Sequence, residues 1–113
     1  MGNKTFKGTK GKWIPVFLTP TKMGVRNEGG YICFTTTPTK FNGQFERYKN
    51  ELAEAESNTR LIAAAPELLE CLQHILELAS KKCTSTMEEI LFLEAWNEWT
   101  EKAKSVINKA LGE

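Results

Sequence analysis

The amino-acid sequence predicts an α+β fold, a small N-terminal antiparallel β-sheet followed by two or three helices that form an antiparallel hairpin. Three observations carry this. Composition changes near residue 45: seven of the eight glycines and three of the four prolines lie before it, and Leu, Ala and Glu dominate after it. Short runs of β-branched and aromatic residues bounded by Gly and Pro occupy the first part. Apolar residues recur at helical spacing through the second.

Residues 13–19, with Trp13, Ile14, Val16 and Phe17, and residues 31–37, with Tyr31, Ile32 and Phe34, read as strands. A third strand over 22–27 fits between them, because Asn27, Glu28, Gly29 and Gly30 supply residues suited to a hairpin turn. Pro15 has no N–H for a ladder, which predicts an edge position or a bulge in the first strand.

Strong helix formers fill residues 44–64. Pro66 predicts a break and restart there, since its ring clashes with a preceding turn but suits a first one. The restarted helix runs to about residue 80, with Leu68, Leu69, Leu72, Ile75 and Leu76 on its apolar stripe. Ser85 three residues before Glu88 forms a capping box that starts a last helix, and Gly112 stops it near residue 111. Its stripe is longer than a three-stranded sheet covers, so the helices are expected to mediate a homo-oligomer through Leu91, Trp96, Trp99 and Ala103.

The 113 residues suffice for one core, so 1–113 reads as a single domain with a basic flexible arm over 1–11, a β-rich stretch over 12–42 and a helical stretch over 44–111. No run approaches the length of a membrane span and the Lys-rich start lacks a signal peptide's apolar segment, so no membrane partner is expected and the protein is placed in the cytoplasm. Cys33, Cys71 and Cys83 are odd in number and contain no C-x-x-C pair, which argues against a disulfide scaffold and against any metal site. All 14 acidic residues are Glu. The absence of Asp removes a Ser-His-Asp triad, an EF-hand loop and a Walker-B ligand. The one histidine, His74, sits among Leu72, Ile75 and Leu76 in a helical pattern, where a helix-surface or core-edge role outweighs a catalytic one. With none of the common nucleotide-hydrolase, zincin or esterase motifs present, the reading is a binding protein rather than an enzyme, with no cofactor.

Charge is divided unequally. Residues 1–27 carry six basic side chains and no acid, and residues 28–113 carry nine basic and 14 acidic ones, hence +6 and −5. The basic arm interleaves Lys4, Lys7, Lys10 and Lys12 with Phe6 and Trp13, a pattern suited to phosphates and bases, although a solvated tail accounts for it more simply. Arginine is scarce, only Arg26, Arg47 and Arg60 against 12 lysines. The positions that use it are candidates for gripping phosphate with a planar fork. For Arg60 the ordinary alternative is an i, i−4 ion pair with Glu56. Asn58 and Arg60 share a helix but point to different sides of it. Trp96 and Trp99 beside Phe92 are an aromatic cluster of core or interface type, or a stacking platform if a cation such as Lys102 or Arg47 adjoins them.

Residues 54–72, from Glu54 through Asn58, Arg60, Leu61, Ile62, Pro66, Glu67 and Leu68 to Leu72, resemble a block of the form E-A-x-x-N-A-R-L-I-A-A-A-P-E-L-L-E-A-L found in small bacteriophage and prophage proteins. The ending over 103–110 is also similar. Thr59 and Cys71 depart from the block, which usually has Ala at both places. The architecture is similar to a family of phage sponges that inhibit Thoeris defence by capturing a cyclic ADP-ribose signal. That resemblance implies sequestration of a small nucleotide without hydrolysis, in the cytoplasm of the host bacterium, with Arg and Lys on phosphates, an aromatic on the base and Asn on a hydroxyl or base edge. It implies Asn58 and Arg60 as ligand-binding, to which Arg26, Arg47 and the strand aromatic Phe34 are added as candidates. Two alternatives remain: an inhibitor of anti-CRISPR kind that binds a host defence protein through its Glu-rich helices, and a DNA-binding phage accessory protein that uses the basic arm.

Overall fold

The computed structural model describes residues 6–37 and 45–113. The expected start of the basic arm with Lys4, the end of the β-rich stretch at residue 42 and the helix start at Gln44 lie outside the described residues. Three strands, β1 (Ile14–Thr19), β2 (Lys22–Asn27) and β3 (Gly30–Thr35), are followed by two helices, α1 (Phe45–Ala79) and α2 (Thr86–Leu111). The α+β expectation holds, with two helices rather than three. The chain divides into two compact units, Met1–Thr59 and Arg60–Glu113, and α1 belongs to both.

In the first unit the strands form an antiparallel meander of order β1-β2-β3. Pro15 sits on edge strand β1, as its missing N–H requires. Asn27 turns the chain into β3: its Oδ1 accepts from the Gly29 N–H at 2.9 Å, and Gly30 takes φ +146°. Opposite residues share a face. Met23 pairs with Thr35 and Val25 with Cys33, and Met23 and Val25 are buried. This is the face that meets α1. Thr59 is wholly buried, its hydroxyl donates to the Ala55 carbonyl at 2.8 Å, and its Oγ1 lies 2.7 Å from Thr35 Oγ1. A hydroxyl has one proton, so with Thr59's given to Ala55 the Thr35 hydroxyl supplies the proton of the second bond.

The second unit is a helical hairpin. Ala64 and Cys71 of α1 pack on Val106 and Ala110 of α2, with Leu68, Trp99 and Ala103 against that cluster. Burial pushes the Cys71 thiol's pKa up. The predicted break at Pro66 is corrected here: α1 runs through it as one helix of 35 residues. An interior proline costs about 3 kcal/mol through its lost hydrogen bond and its clash with the preceding turn. Here Ala64 and Leu68 flank Pro66 in the seam, and breaking α1 would forfeit their packing.

The ends of α2 follow the sequence closely. Ser85 is its N-cap and accepts from the Glu88 N–H at 3.2 Å. Gly112, at φ +80°, donates to the Lys109 carbonyl at 3.2 Å, and the Glu113 N–H donates to Asn108 at 2.8 Å, a Schellman closure. Glu88 reaches one residue further back than a capping box requires. Its Oε2 accepts from the Thr84 N–H at 2.7 Å and the Thr84 hydroxyl at 3.0 Å, and these bonds hold its carboxyl below the usual carboxylate range. A lowered native pKa means stabilisation that is present above the unfolded-state value and lost as pH falls through the native one. An NMR titration is therefore expected to place the Glu88 carboxyl below the ordinary glutamate value, and Thr84→Ala, which removes the hydroxyl but keeps the backbone N–H, to raise it part of the way back.

Candidate basic and aromatic sheet face

The sheet face turned away from Thr59 carries the chemistry. β2 alternates, so Lys22, Gly24 and Arg26 fall on this side, opposite the side of Met23 and Val25. β3 does not alternate regularly. Val25 pairs with Cys33 but Arg26 pairs with Tyr31, so Ile32 is the extra residue of a β-bulge. Tyr31 and Phe34 are three residues apart and would lie on opposite faces of a regular strand. The bulge brings them to the same one, with ring centroids 4.7 Å apart and planes 25° from parallel.

Cations border this stacked pair. The Lys22 Nζ stands 5.9 Å from the Phe34 ring centroid, and the Arg26 guanidinium 5.8 Å from that of Tyr31. Gly24 lies beneath: a Cβ there would meet the Cys33 carbonyl oxygen at 2.6 Å and Phe34 Cδ1 at 3.3 Å, so the phenyl ring rests on bare backbone. Phe34 is nevertheless 60% exposed. Ile14 of β1, opposite Arg26, extends the same surface and is also exposed.

The arm adds positive charge at one end of the sheet. The Lys10 carbonyl accepts from the Asn27 side-chain amide at 3.0 Å, Trp13 Nε1 donates to the Thr9 carbonyl at 3.0 Å, and Phe6 meets Trp13 edge-on with centroids 6.2 Å apart. Lys10 Nζ also stands over Phe6, 5.4 Å from its centroid. Residues 6–37 hold five basic side chains (Lys7, Lys10, Lys12, Lys22, Arg26) against the single acid Glu28.

Of the ligand candidates named from sequence, the structure brings Arg26 and Phe34 together and places the others elsewhere. Arg47 donates from Nε to Glu51 at 3.0 Å, one turn along α1. Asn58 is exposed on α1, next to the buried Thr59. Arg60 lies across the C-terminal cap of α2: its side chain would be 3.0–3.3 Å from a Cβ at Gly112, where a cation complements the carbonyl end of a helix. The residues missed from sequence are Lys22 and Tyr31. Strict alternation would set Tyr31 on the face opposite Phe34. The signal that could have found it is Gly24, a glycine inside a strand, which marks a bulge or a close approach across the ladder.

Of the four residues expected at an interface between copies, Trp99 and Ala103 pack against the hairpin's own core. The Trp99 indole stacks on His74 at 3.8 Å with planes 8° apart, and Lys102 Nζ is 4.5 Å from its centroid, so the cation expected beside it is Lys102. Trp96 stacks with Phe92 at 5.9 Å, and Leu91 is exposed. Among the described residues no group of three or more His, Cys, Asp or Glu could hold a metal, and no helix is long and apolar enough to cross a membrane.

A protein-family model described as Salmonella phage P22 protein Y8K6 matches this chain over residues 1–113. No curated protein and no solved structure matches it.

Proposed function

Because the chain belongs to the Salmonella phage P22 protein Y8K6 family, we propose that this phage protein uses the open face of its sheet to bind a nucleotide-derived host signal, of cyclic nucleotide or cyclic ADP-ribose type, and withholds it from the host's defence. The observation that carries the reading is the stacked Tyr31–Phe34 pair with Lys22 and Arg26 at its edges. A nucleotide offers a flat base and a phosphate. The exposed Phe34 ring takes the base by stacking, and the ammonium and guanidinium take the phosphate.

Capture rather than turnover is the reading that the chemistry of these four side chains supports. Lys22, Arg26, Tyr31 and Phe34 bind and orient, and none of them is a carboxylate or imidazole able to act as a general base at neutral pH. The antidefence role itself rests on the phage family together with the resemblance to signal-capturing sponges drawn from the sequence.

The test is a calorimetric titration of the purified protein with cyclic ADP-ribose isomers, cyclic dinucleotides and cyclic trinucleotides. One of them is expected to bind saturably and to be recovered intact after heat denaturation. Phe34→Ala should weaken it about 10- to 100-fold, the loss expected for one stacked base. Absence of binding by every compound, or equal binding by Phe34→Ala and Arg26→Ala, overturns the reading.

A second reading draws on Lys10 and its neighbours at the Asn27 end of the sheet, which extend the cationic surface beyond the footprint of one small ligand. Single-stranded nucleic acid would then lie along the same face. Its affinity should fall steeply with salt, with a logarithmic slope of about −0.7 per phosphate neutralised. A small cyclic ligand with one or two phosphates would show a far shallower dependence.

A further inference from the structure

The helical hairpin of residues 60–113 has two unlike flanks. At about 100° per residue, Ala64, Leu68 and Cys71 form the seam that α1 turns toward α2, and Leu61, Leu69, Leu72 and Leu76 form a second stripe about 100° round the helix from it. On α2 the residues at the corresponding displacement from its own seam are Leu93, Ile107 and Leu111. Antiparallel partners rotate in opposite senses when viewed from one end, so equal displacements fall on the same side of the pair. The ion pairs check this: Glu67–Lys109 at 3.1 Å and Glu70–Lys102 at 3.9 Å are all displaced the other way, and they cross-link the opposite flank. His74 stacks on Trp99 on that flank too.

One flank is therefore laced with polar pairs and the other is mostly apolar, broken on α2 by Thr100 between Leu93 and Ile107 and edged by Lys104. Its six leucines and one isoleucine are 39–73% exposed. Together they offer roughly 700 Å² of apolar surface, against about 800 Å² per partner in a standard stable interface. A monomer seldom shows water a contiguous apolar patch larger than about 300–600 Å². Within α1 no charged residue interrupts the stripe between Leu61 and Leu76, since Glu67, Glu70 and Glu77 lie round the helix from it. The cation at its border, Lys104, is already paired with Glu101 at 3.0 Å.

We propose that a second copy of this chain docks on the flank formed by Leu61, Leu69, Leu72, Leu76, Leu93, Ile107 and Leu111. The two hairpins then form a four-helix bundle about a two-fold axis. An isologous contact suits this surface because it is mostly apolar, and its bordering cation Lys104 is already paired with Glu101, so it asks for no opposite charge from its partner. Size matches as well, since each copy supplies the same near-standard area. The interface differs from the aromatic face expected from sequence, where Trp99 and Ala103 are engaged with α1 of their own chain.

Light scattering coupled to size exclusion on the full chain, at tens of micromolar, tests it. Wild type is expected at twice the 12.8 kDa of one chain or a higher even multiple. The pair Leu72→Lys and Leu76→Lys is made at positions 66% and 73% exposed, so helicity by circular dichroism should be unchanged. Dissociation should then be favoured by roughly 100-fold or more, about one decade per buried leucine. Leu91→Lys, on the flank that carries Lys102 and Lys109, should leave the assembly intact. A wild type that stays monomeric, a double variant that still assembles with wild-type affinity, or dissociation by Leu91→Lys instead would each overturn the proposal. The first of these would assign the flank to a different protein.

Discussion

Ala64→Glu is expected to disrupt the helical hairpin, lowering stability by about 4 kcal/mol or more. Ala64 is 1% exposed and sits in the cluster with Cys71, Val106 and Ala110. The methyl is small because α2 approaches closely there, and its partner Ala110 is equally small. A glutamate adds four heavy atoms beyond Cβ to a filled seam and brings a charge with no cation placed to meet it among those four residues. Overpacking alone costs about 1–3 kcal/mol, and the unpaired buried carboxylate adds the rest. The two parts separate experimentally. Ala64→Leu should show only the first, a fall in Tm of roughly 4 °C per kcal/mol by differential scanning calorimetry. Ala64→Glu should partly recover at acidic pH, where the carboxyl is neutral. A glutamate variant as stable as wild type would mean that the α1–α2 seam does not hold the hairpin together.

Thr59→Val is expected to cost about 1–3 kcal/mol although it conserves volume and shape. The loss is that of the bond to Thr35, the polar link between α1 and the inner face of the sheet. In the variant the Thr35 hydroxyl keeps its position beside a methyl group and cannot be satisfied by it. The bond to the Ala55 carbonyl contributes less, because that oxygen lies within a helix that already uses it. The double variant Thr35→Val, Thr59→Val removes both partners, and by chemical denaturation it should be more stable than the sum of the single changes by about 1 kcal/mol. Strict additivity would show that the two hydroxyls do not interact. Thr59 also departs from the alanine usual in the phage block that residues 54–72 resemble. Its burial gives the departure a physical meaning: the hydroxyl is paired with a threonine of β3, so the helix and the sheet are matched to each other.

Local chemistry made most of the fold legible. Trp13, Ile14, Tyr31 and Ile32 marked strands because β-branched and aromatic side chains suit a half-buried pleated surface. Ser85, Glu88 and Gly112 marked the two ends of α2 to within a residue, because caps act within one turn. What failed needed tertiary information. Pro66 read as a break, because its penalty is local and visible, whereas the packing of Ala64 and Leu68 that outweighs it is not. The candidate site was half legible. Arg26 stood out through the scarcity of arginine, and Phe34 as a strand aromatic. Tyr31 reached the same face only through the Ile32 bulge, which is a property of the pairing of two strands and not of either sequence. Trp96 and Trp99 suggested an intermolecular surface because a stripe can be recognised from spacing, but which partner covers it cannot.

That bulge has a further consequence, for solubility. In a three-stranded sheet both β1 and β3 are outer strands, each with a row of peptide groups open to pairing with a strand from another molecule. Ile32 interrupts the even spacing of that row on β3, and Pro15 removes a donor from β1. A foreign strand finds a regular ladder on neither side. A protein that shows Phe34 and Tyr31 to water thus has two built-in obstacles to runaway β-pairing, and so to fibrous aggregation.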